Sequence, residues 1–199
     1  MPFFRKKIRV IFLLSSVFFS GCAIDLHQHY LLSAITPTPP PKNKMTSLLL
    51  VLKPLELPNY VKQAQILTHE QGSRVALSKI NLWAEPMING VERVLTQDLA
   101  QRIEGEVLPS AQRLQAKKID YFILVSISDF IGTLGQEALL SVHWQILDGK
   151  RQKTLRFKRQ TYRETLPDYT YETLVIAQSR LLASLSDDLA QAVVQLSDE

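Results

Sequence analysis

The stretch "DYFILVSISDF", residues 120–130, alternates apolar and polar side chains over most of its length. One set of alternate apolar side chains shares one face, and the two serines share the other. The apolar set is Tyr121, Ile123, Val125 and Ile127, and the polar set is Ser126 and Ser128. Because successive side chains of a strand point to opposite faces, this period of two predicts a strand buried on one side.

A second alternating stretch, Glu137–Leu147, is predicted to lie beside the first. We expect its inward side chains to be Ala138, Leu140, Val142, Trp144 and Ile146, with Ser141, His143 and Gln145 outward. Asp148-Gly149 is a hairpin turn signal, so Lys153–Tyr162 is predicted to return as the partner strand.

The N-terminal half supplies further strands. Tyr30–Ile35 and Ser47–Lys53 are predicted strands, separated by the proline-rich loop 36–44. Gln65–His69 and Arg74–Leu77 flank a polar turn and are typical of a hairpin.

Two amphipathic helices complete the pattern. Pro86 is predicted to open the first, whose apolar stripe recurs every three or four residues, and Gly105 and Pro109 mark its end. That stripe is Ile88, Val91, Leu95, Leu99 and Ile103, with Glu92, Arg93, Gln97 and Arg102 off it. The second helix is Tyr171–Leu196. We therefore predict an α+β fold: a two-layer sandwich with one mostly antiparallel sheet and two amphipathic helices packed on one face.

The N-terminus has the order of a secretory signal. A basic cluster precedes the apolar run Val10–Phe19, and small residues follow it. This run is about half of the ~20 residues that a membrane-spanning helix needs, so residues 1–21 are predicted to be a transient signal peptide. Residues 22–199 are then expected to form a single periplasmic domain.

Cys22 is the only cysteine in the chain, and Phe19-Ser20-Gly21-Cys22 resembles a bacterial lipobox. The resemblance implies cleavage before Cys22, diacylglycerol on its thiol and an acyl chain on its amine. An ordinary cysteine is the alternative. Because Ala23 rather than aspartate follows the cysteine, the resemblance favours the outer membrane, with the domain facing the periplasm.

The net charge does not indicate nucleic-acid binding. The chain has 23 basic and 19 acidic residues, but residues 1–21 contain four of the basic ones and none of the acidic ones. The remainder is balanced, so the excess of positive charge belongs to the predicted signal peptide.

Two further stretches carry a family resemblance: "LPNYVKQAQILTH" at 57–69 and "LWAEPMINGVERVLTQDL" at 82–99. With the lipobox, they resemble the PqiC-like family of ABC-type transport auxiliary lipoproteins. The matching residues are Leu57, Pro58, Tyr60, Gln65, Ile66 and Thr68, then Trp83, Ala84, Glu85 and Pro86. Lys62-Gln63-Ala64 departs from the pattern, since many members have Asp-Arg-Pro there.

This resemblance implies a non-enzymatic lipoprotein subunit of a lipid-trafficking system. Its partners would be an MCE-domain protein and an ABC transporter complex, whose periplasmic end it would dock or receive at the outer membrane, supporting membrane integrity. A homo-oligomeric ring is a further implication. The alternative is a free-standing structural or assembly lipoprotein of the outer membrane, and an enzyme ranks third.

The family motif Trp83–Pro86 has two interpretations. In the first it is a fold junction, where Trp83 fills the edge between sheet and helix and Glu85 stabilises the helix N-terminus through its dipole. In the second it contacts a partner.

A basic segment at 150–163 also has alternative interpretations. Seven of its fourteen residues are lysine or arginine and none is acidic. The candidate partner residues are Lys150, Arg151, Lys153, Arg156, Lys158 and Arg159. The charge is typical of a solvated sheet edge that resists aggregation; it also fits docking of an acidic partner or anionic lipid headgroups, and nucleic acid ranks last.

Metal and cofactor chemistry find little support in the sequence. His27 and His29 alternate, but no cluster of cysteine or acidic residues completes a metal-binding spacing. No phosphate-binding or dinucleotide fingerprint occurs. We expect no catalytic residues, no metal and no cofactor beyond the acyl groups on Cys22.

Overall fold

The computed structural model describes residues 26–36, 48–103, 105–115 and 118–198. In these ranges eight strands form one sheet, and two α-helices pack against it. The strands are β1 Gln28–Tyr30, β2 Leu48–Leu52, β3 Gln65–His69, β4 Val75–Trp83, β5 Gly105–Leu108, β6 Tyr121–Thr133, β7 Glu137–Asp148 and β8 Thr154–Thr165. The helices are α1 Met87–Arg102 and α2 Tyr171–Ser197, and short 3-10 turns cover Asn59–Lys62 and Ser110–Gln115.

The central strand is β6. One of its edges pairs with β7 along nearly its whole length, and β8 follows β7 as the outermost strand. Two strands pair with its other edge. β2 pairs with residues 121–123 at the start of β6, and β3 pairs with Gly132 near the end of β6. Beyond these, β5 pairs with β2, β4 pairs with β3, and β1 pairs with β4.

The sheet is mixed, so the prediction of a mostly antiparallel sheet was wrong. Four of the seven strand pairs are parallel: β1 with β4, β2 with β5, β2 with β6, and β3 with β6. The antiparallel pairs join strands that are consecutive in sequence, whose short turns are visible in the sequence. The parallel pairs join strands distant in sequence, and no local signal specifies their direction.

Several strand bounds also differ from expectation. The strand predicted at Tyr30–Ile35 is shorter and earlier, and residues 31–36 form no strand. Gly105–Leu108 is a strand that the sequence did not predict. Of the proline-rich loop, residues 37–44 lie outside the described residues, as do Cys22 and the predicted signal peptide.

The main core lies between the sheet and both helices. Its largest fully buried side chains are Leu50, Leu52, Ile66, Leu95, Leu99, Ile123, Leu140, Ile146, Leu174, Leu181, Leu182 and Leu185. The predicted inward side chains of β7 are all buried. A smaller cluster of Val51, Phe122 and Leu147 lies on the opposite face of the sheet, and neither helix contributes to it.

Arg102 corrects the predicted polar face of α1. It is 7% exposed, and it pairs with Asp98 at 3.4 Å and with Asp187 of α2 at 2.6 Å. The segment 31–36 packs over these side chains, since the Ile35 amide donates to Asp98 at 2.8 Å and the Ile35 carbonyl accepts from Arg102 at 3.1 Å. The periodicity of α1 alone does not reveal this covering segment.

Candidate functional site on the open face of the sheet

The face of the sheet turned away from the helices carries an open polar groove across β6, β7 and β8. One part, of about 390 Å³, lies between β7 and the segment that follows β2. The adjoining part, of about 530 Å³, extends over β7 to β8. Ser126 and His143 line both parts, so we treat them as one feature, the open-face groove.

One wall of the groove is the segment 53–56, which runs along β6 beyond the end of β2. The Lys53 amide donates to the Ile123 carbonyl at 2.8 Å, and the Glu56 carbonyl accepts from the Ile127 amide at 2.8 Å. Glu56 also forms an isolated parallel bridge with Ser126. These bonds hold the segment in place. They pair backbone groups of β6 in the gap between its pairing with β2 and its pairing with β3.

Tyr60, from the first family stretch, attaches the next turn to β6. Its hydroxyl donates to Asp129 Oδ1 at 3.2 Å and lies 3.3 Å from the Ser128 carbonyl, beside a bulge in β6. Burial, together with the Asp129 charge, raises the pKa of Tyr60 to about 12. Leu57 and Val61, on either side of Tyr60 in the sequence, are buried in the main core, so this turn is held by apolar packing and by a hydrogen bond.

The groove floor is rich in hydroxyl groups. Ser128 Oγ donates to the Ser141 carbonyl at 3.2 Å, and Ser141 Oγ lies 3.2 Å from Thr161 Oγ1. Ser126 and His143 are cross-strand neighbours, yet within the described contacts no hydrogen bond joins their side chains. The groove floor therefore presents hydroxyl groups and the His143 imidazole as hydrogen-bonding groups.

The basic segment is divided between two faces by the period of β8. Lys158 faces the helices and pairs with Asp188 of α2 at 2.6 Å; its neighbour Arg156 shares that face by register. Arg159 faces the other way, opposite His143, and lines the open-face groove. Phe157 is on that same outer side and is 74% exposed.

The remaining residues of the basic segment lie in the β7–β8 turn. Lys150, Arg151 and Lys153 are exposed there. Asp148 closes the turn by accepting from the amides of Lys150 and Arg151 at 2.9 and 2.6 Å. These amide donors lower the pKa of Asp148, since they stabilise its charged form.

The motif Trp83–Pro86 makes its described contacts inside the fold. Trp83 is 9% exposed, and its amide donates to the Ala64 carbonyl at 2.7 Å. The Ala84 amide donates to the Tyr30 carbonyl at 2.9 Å. Pro86 directly precedes α1, and no side chain caps the first turn of that helix.

Glu85 accepts from Arg93 at 2.6 Å, and the same guanidinium donates to the Leu32 carbonyl at 2.9 Å. The motif therefore joins β1, β4, α1 and the N-terminal segment.

Two further findings concern the described residues as a set. None of their helices is long and apolar enough to cross a membrane. No group of three or more histidine, cysteine or acidic side chains among them is placed to hold a metal ion.

The family model of the ABC-type transport auxiliary lipoprotein component matches residues 30–190. The chain belongs to this family. Membership of the ABC-type transport auxiliary lipoprotein family is consistent with a lipoprotein component of ABC-type transport.

Two solved structures share the fold of this family member. A crystal structure of an uncharacterized protein has a TM-score of 0.69 at 16% identity, covering 84% of this chain and 98% of that one. Protein XCC0632 from Xanthomonas campestris, of the DUF330 family model, has a TM-score of 0.66 at 16% identity, covering 82% and 92%. None of the curated proteins compared with the chain matches it.

Sequence reasoning identified the outward residues of β6 and β7 but did not assemble them into a groove. Ser126 and His143 were placed on polar faces, and Tyr60 was noted only for its motif. Their meeting depends on segment 53–62 returning along β6, which is a long-range contact.

Proposed function

We propose that this protein is a non-catalytic subunit of an MCE- and ABC-type lipid-trafficking system. It docks or receives the periplasmic end of that system at the outer membrane and so supports membrane integrity. The family match over residues 30–190 is the observation that carries the proposal. The groove is consistent with it, because its polar groups suit protein contact better than catalysis.

Membrane attachment is proposed to occur through Cys22. The lipobox supports acylation of this residue, and two or three acyl chains provide stable anchoring where a single chain binds only marginally. The domain then faces the periplasm from the inner leaflet of the outer membrane, and it requires no other cofactor.

Docking is proposed to use β8 and the open-face groove. Within the described sheet β8 pairs only with β7, so its other edge has backbone groups available to a partner strand. Arg159 makes no ion pair within the described residues, and it lies between this edge and the groove. An acidic segment of the MCE-domain partner has the complementary charge.

The first test is cross-linking in cells and affinity purification of the tagged protein, with Cys22→Ser as the control. Recovery of an MCE-domain protein, weakened when the anchor is removed, supports the proposal. Recovery of only barrel-assembly or cell-wall proteins favours the structural lipoprotein instead. In the deletion strain, wild type should restore detergent resistance and Cys22→Ser should not.

The docking surface is tested with two charge reversals. Arg159→Glu should reduce recovery of the partner several-fold. Lys118→Glu makes the same charge change in the segment before β6, where Lys118 pairs with Asp120 at 3.1 Å, and should leave recovery near wild type. If both variants recovered the partner as well as wild type does, β8 would be excluded from the interface. The assignment as a subunit of the system would still stand.

A further inference from the structure

The N-terminal segment leaves the sheet at a defined end. β1 runs parallel to β4, with Gln28 opposite Asn81, so the chain before Gln28 points towards the β3–β4 turn at residues 70–74. The Tyr30 hydroxyl lies 3.1 Å from Asn81 Oδ1, and the Ser33 amide donates to Ser179 Oγ at 3.1 Å. These contacts hold the segment on both sides of the point where β1 ends.

Exposed apolar side chains are concentrated at this end. Leu26 is 69% exposed, Val75 and Leu77 are each 49% exposed, and Ile80 is 43% exposed. Val75 and Leu77 are two positions apart on β4 and share a face, whereas Ala76 between them is half-buried. Leu26 precedes β1, which pairs with β4, and β4 carries the other three, so four exposed apolar side chains lie in two neighbouring segments.

An irregularity in β4 adds to this surface. Gln65 pairs with Leu82, and Leu67 pairs with Leu77. Only one residue of β3 lies between these two pairs, whereas four residues of β4 do. The extra residues form a bulge, in which Lys79 and Ile80 are both exposed. A bulge turns side chains out of the regular alternation, and here it turns an apolar and a basic one outward together.

Two basic side chains accompany these apolar ones, and Glu172 of α2 is an acidic neighbour of Tyr30 at the same end. Arg74 and Lys79 are exposed, and the nearby Glu70 lies 3.6 Å from Arg74. Lys79 has no ion-pair partner within the described part of the chain. Apolar side chains flanked by lysine and arginine are the composition of surfaces that bind at the headgroup boundary of anionic bilayers.

The distance to the anchor favours the bilayer as the occupant. Cys22 precedes Gln28 by six residues, which span at most about 20 Å when fully extended. An acylated Cys22 would therefore hold Leu26 and the β3–β4 turn close to the headgroups, where covalent attachment gives weak contacts a high effective concentration.

We propose that the surface formed by Leu26, Arg74, Val75, Leu77, Lys79 and Ile80, here called the anchor-end surface, rests in the headgroup region of the membrane that carries Cys22. This inference depends on the acylation of Cys22 in the proposed function. It gives the protein two points of attachment and hence a fixed orientation. The β3–β4 turn lies near the C-terminal end of β6, and the β7–β8 turn lies near its N-terminal end. Because β6 is about 40 Å long, the β7–β8 turn then projects into the periplasm.

The test uses the full-length acylated protein in vesicles of phosphatidylethanolamine and phosphatidylglycerol. Because Cys22 is blocked by acylation, a cysteine introduced by Ile80→Cys takes an NBD fluorophore alone. Lys150→Cys is the matched control at the opposite end, since Lys150 is also exposed. Each label is compared in vesicles and, on a background of Cys22→Ser, in buffer.

The label at position 80 should emit at shorter wavelength in vesicles, and dithionite should reduce it several-fold more slowly than in buffer. The label at position 150 should have the same emission wavelength and the same rate of dithionite reduction in vesicles as in buffer. Adding Leu77→Asp should return the label at position 80 towards its behaviour in buffer, with the melting temperature as a check on folding.

Equal reduction rates for the two labels in vesicles would overturn the anchor-end surface while the protein remains vesicle-bound. Protection of position 80 only when the MCE-domain partner is added would also overturn it, in favour of a protein contact. Failure to bind vesicles, with an unmodified Cys22 in the mass spectrum, would instead contradict the anchor itself.

Discussion

At the scale of single residues, Asp98 has an unusual environment. Its side chain is fully buried, Oδ1 accepts from the Ile35 amide, and Oδ2 has no hydrogen-bond partner. Burial raises its pKa above the ordinary value of 3.8, although the Ile35 amide and Arg102 oppose that shift. Asp98 thus fixes the N-terminal segment at the cost of a partly uncompensated charge.

This environment predicts an unusual pH dependence. A carboxyl whose folded pKa is raised adds most stability when protonated, and it loses that contribution as pH rises through the folded pKa. Asp98→Asn should therefore lower the free energy of unfolding more near pH ~4 than at neutral pH. Urea unfolding of both proteins across this range measures the difference; a larger effect at neutral pH would contradict the prediction.

At the scale of elements, packing between β6 and α2 depends on one small residue. Gly132 is in β6, and a Cβ placed there would collide with Leu174 Cδ1 and lie 3.1 Å from the Glu137 carbonyl oxygen. Gly132 is also the point where β3 meets β6. A larger side chain would therefore disturb a helix contact and a strand contact at once.

Gly132→Ala should lower the free energy of unfolding by about 1–3 kcal/mol, as overpacking of a filled core does. The neighbouring Thr133→Ala is the control, since Thr133 is only half-buried and its change removes atoms rather than adding them. Midpoints of urea unfolding compare the two. An unchanged midpoint for Gly132→Ala would show that Leu174 moves aside without loss.

At the scale of the whole molecule, one main core joins both helices to the sheet. Both tryptophans of the chain belong to it: Trp83 at the end of β4, and Trp144 beneath α2 on β7. They are 9% and 3% exposed. The shared core predicts that the two regions unfold together.

The mature protein should accordingly unfold in one cooperative transition. Trp83→Phe and Trp144→Phe leave a single reporter each, and both fluorescence transitions should coincide with the loss of far-ultraviolet circular dichroism. Separate midpoints for the two reporters in either variant would indicate two folding units and would contradict the single domain predicted for residues 22–199.

The sequence alone was enough for the elements that depend on local patterns. The alternation around Ile123 and Trp144 specified which faces are buried, because strand period is a property of neighbouring residues. The turn signals at residues 70–73 and at Asp148-Gly149 specified the antiparallel hairpins. The motifs around Tyr60 and Trp83 indicated the family, which the match over residues 30–190 confirmed.

Only the tertiary structure decided how these elements meet. The parallel pairs, the covering of Asp98 and Arg102 by segment 31–36, and the groove beside Tyr60 all join residues far apart in sequence. Lys158 pairs with Asp188 of α2, whereas Arg159 lines the groove. This difference likewise depends on what packs on each face of β8. Local propensity carries no information about such partners, since burial and ion pairing arise when distant segments come together.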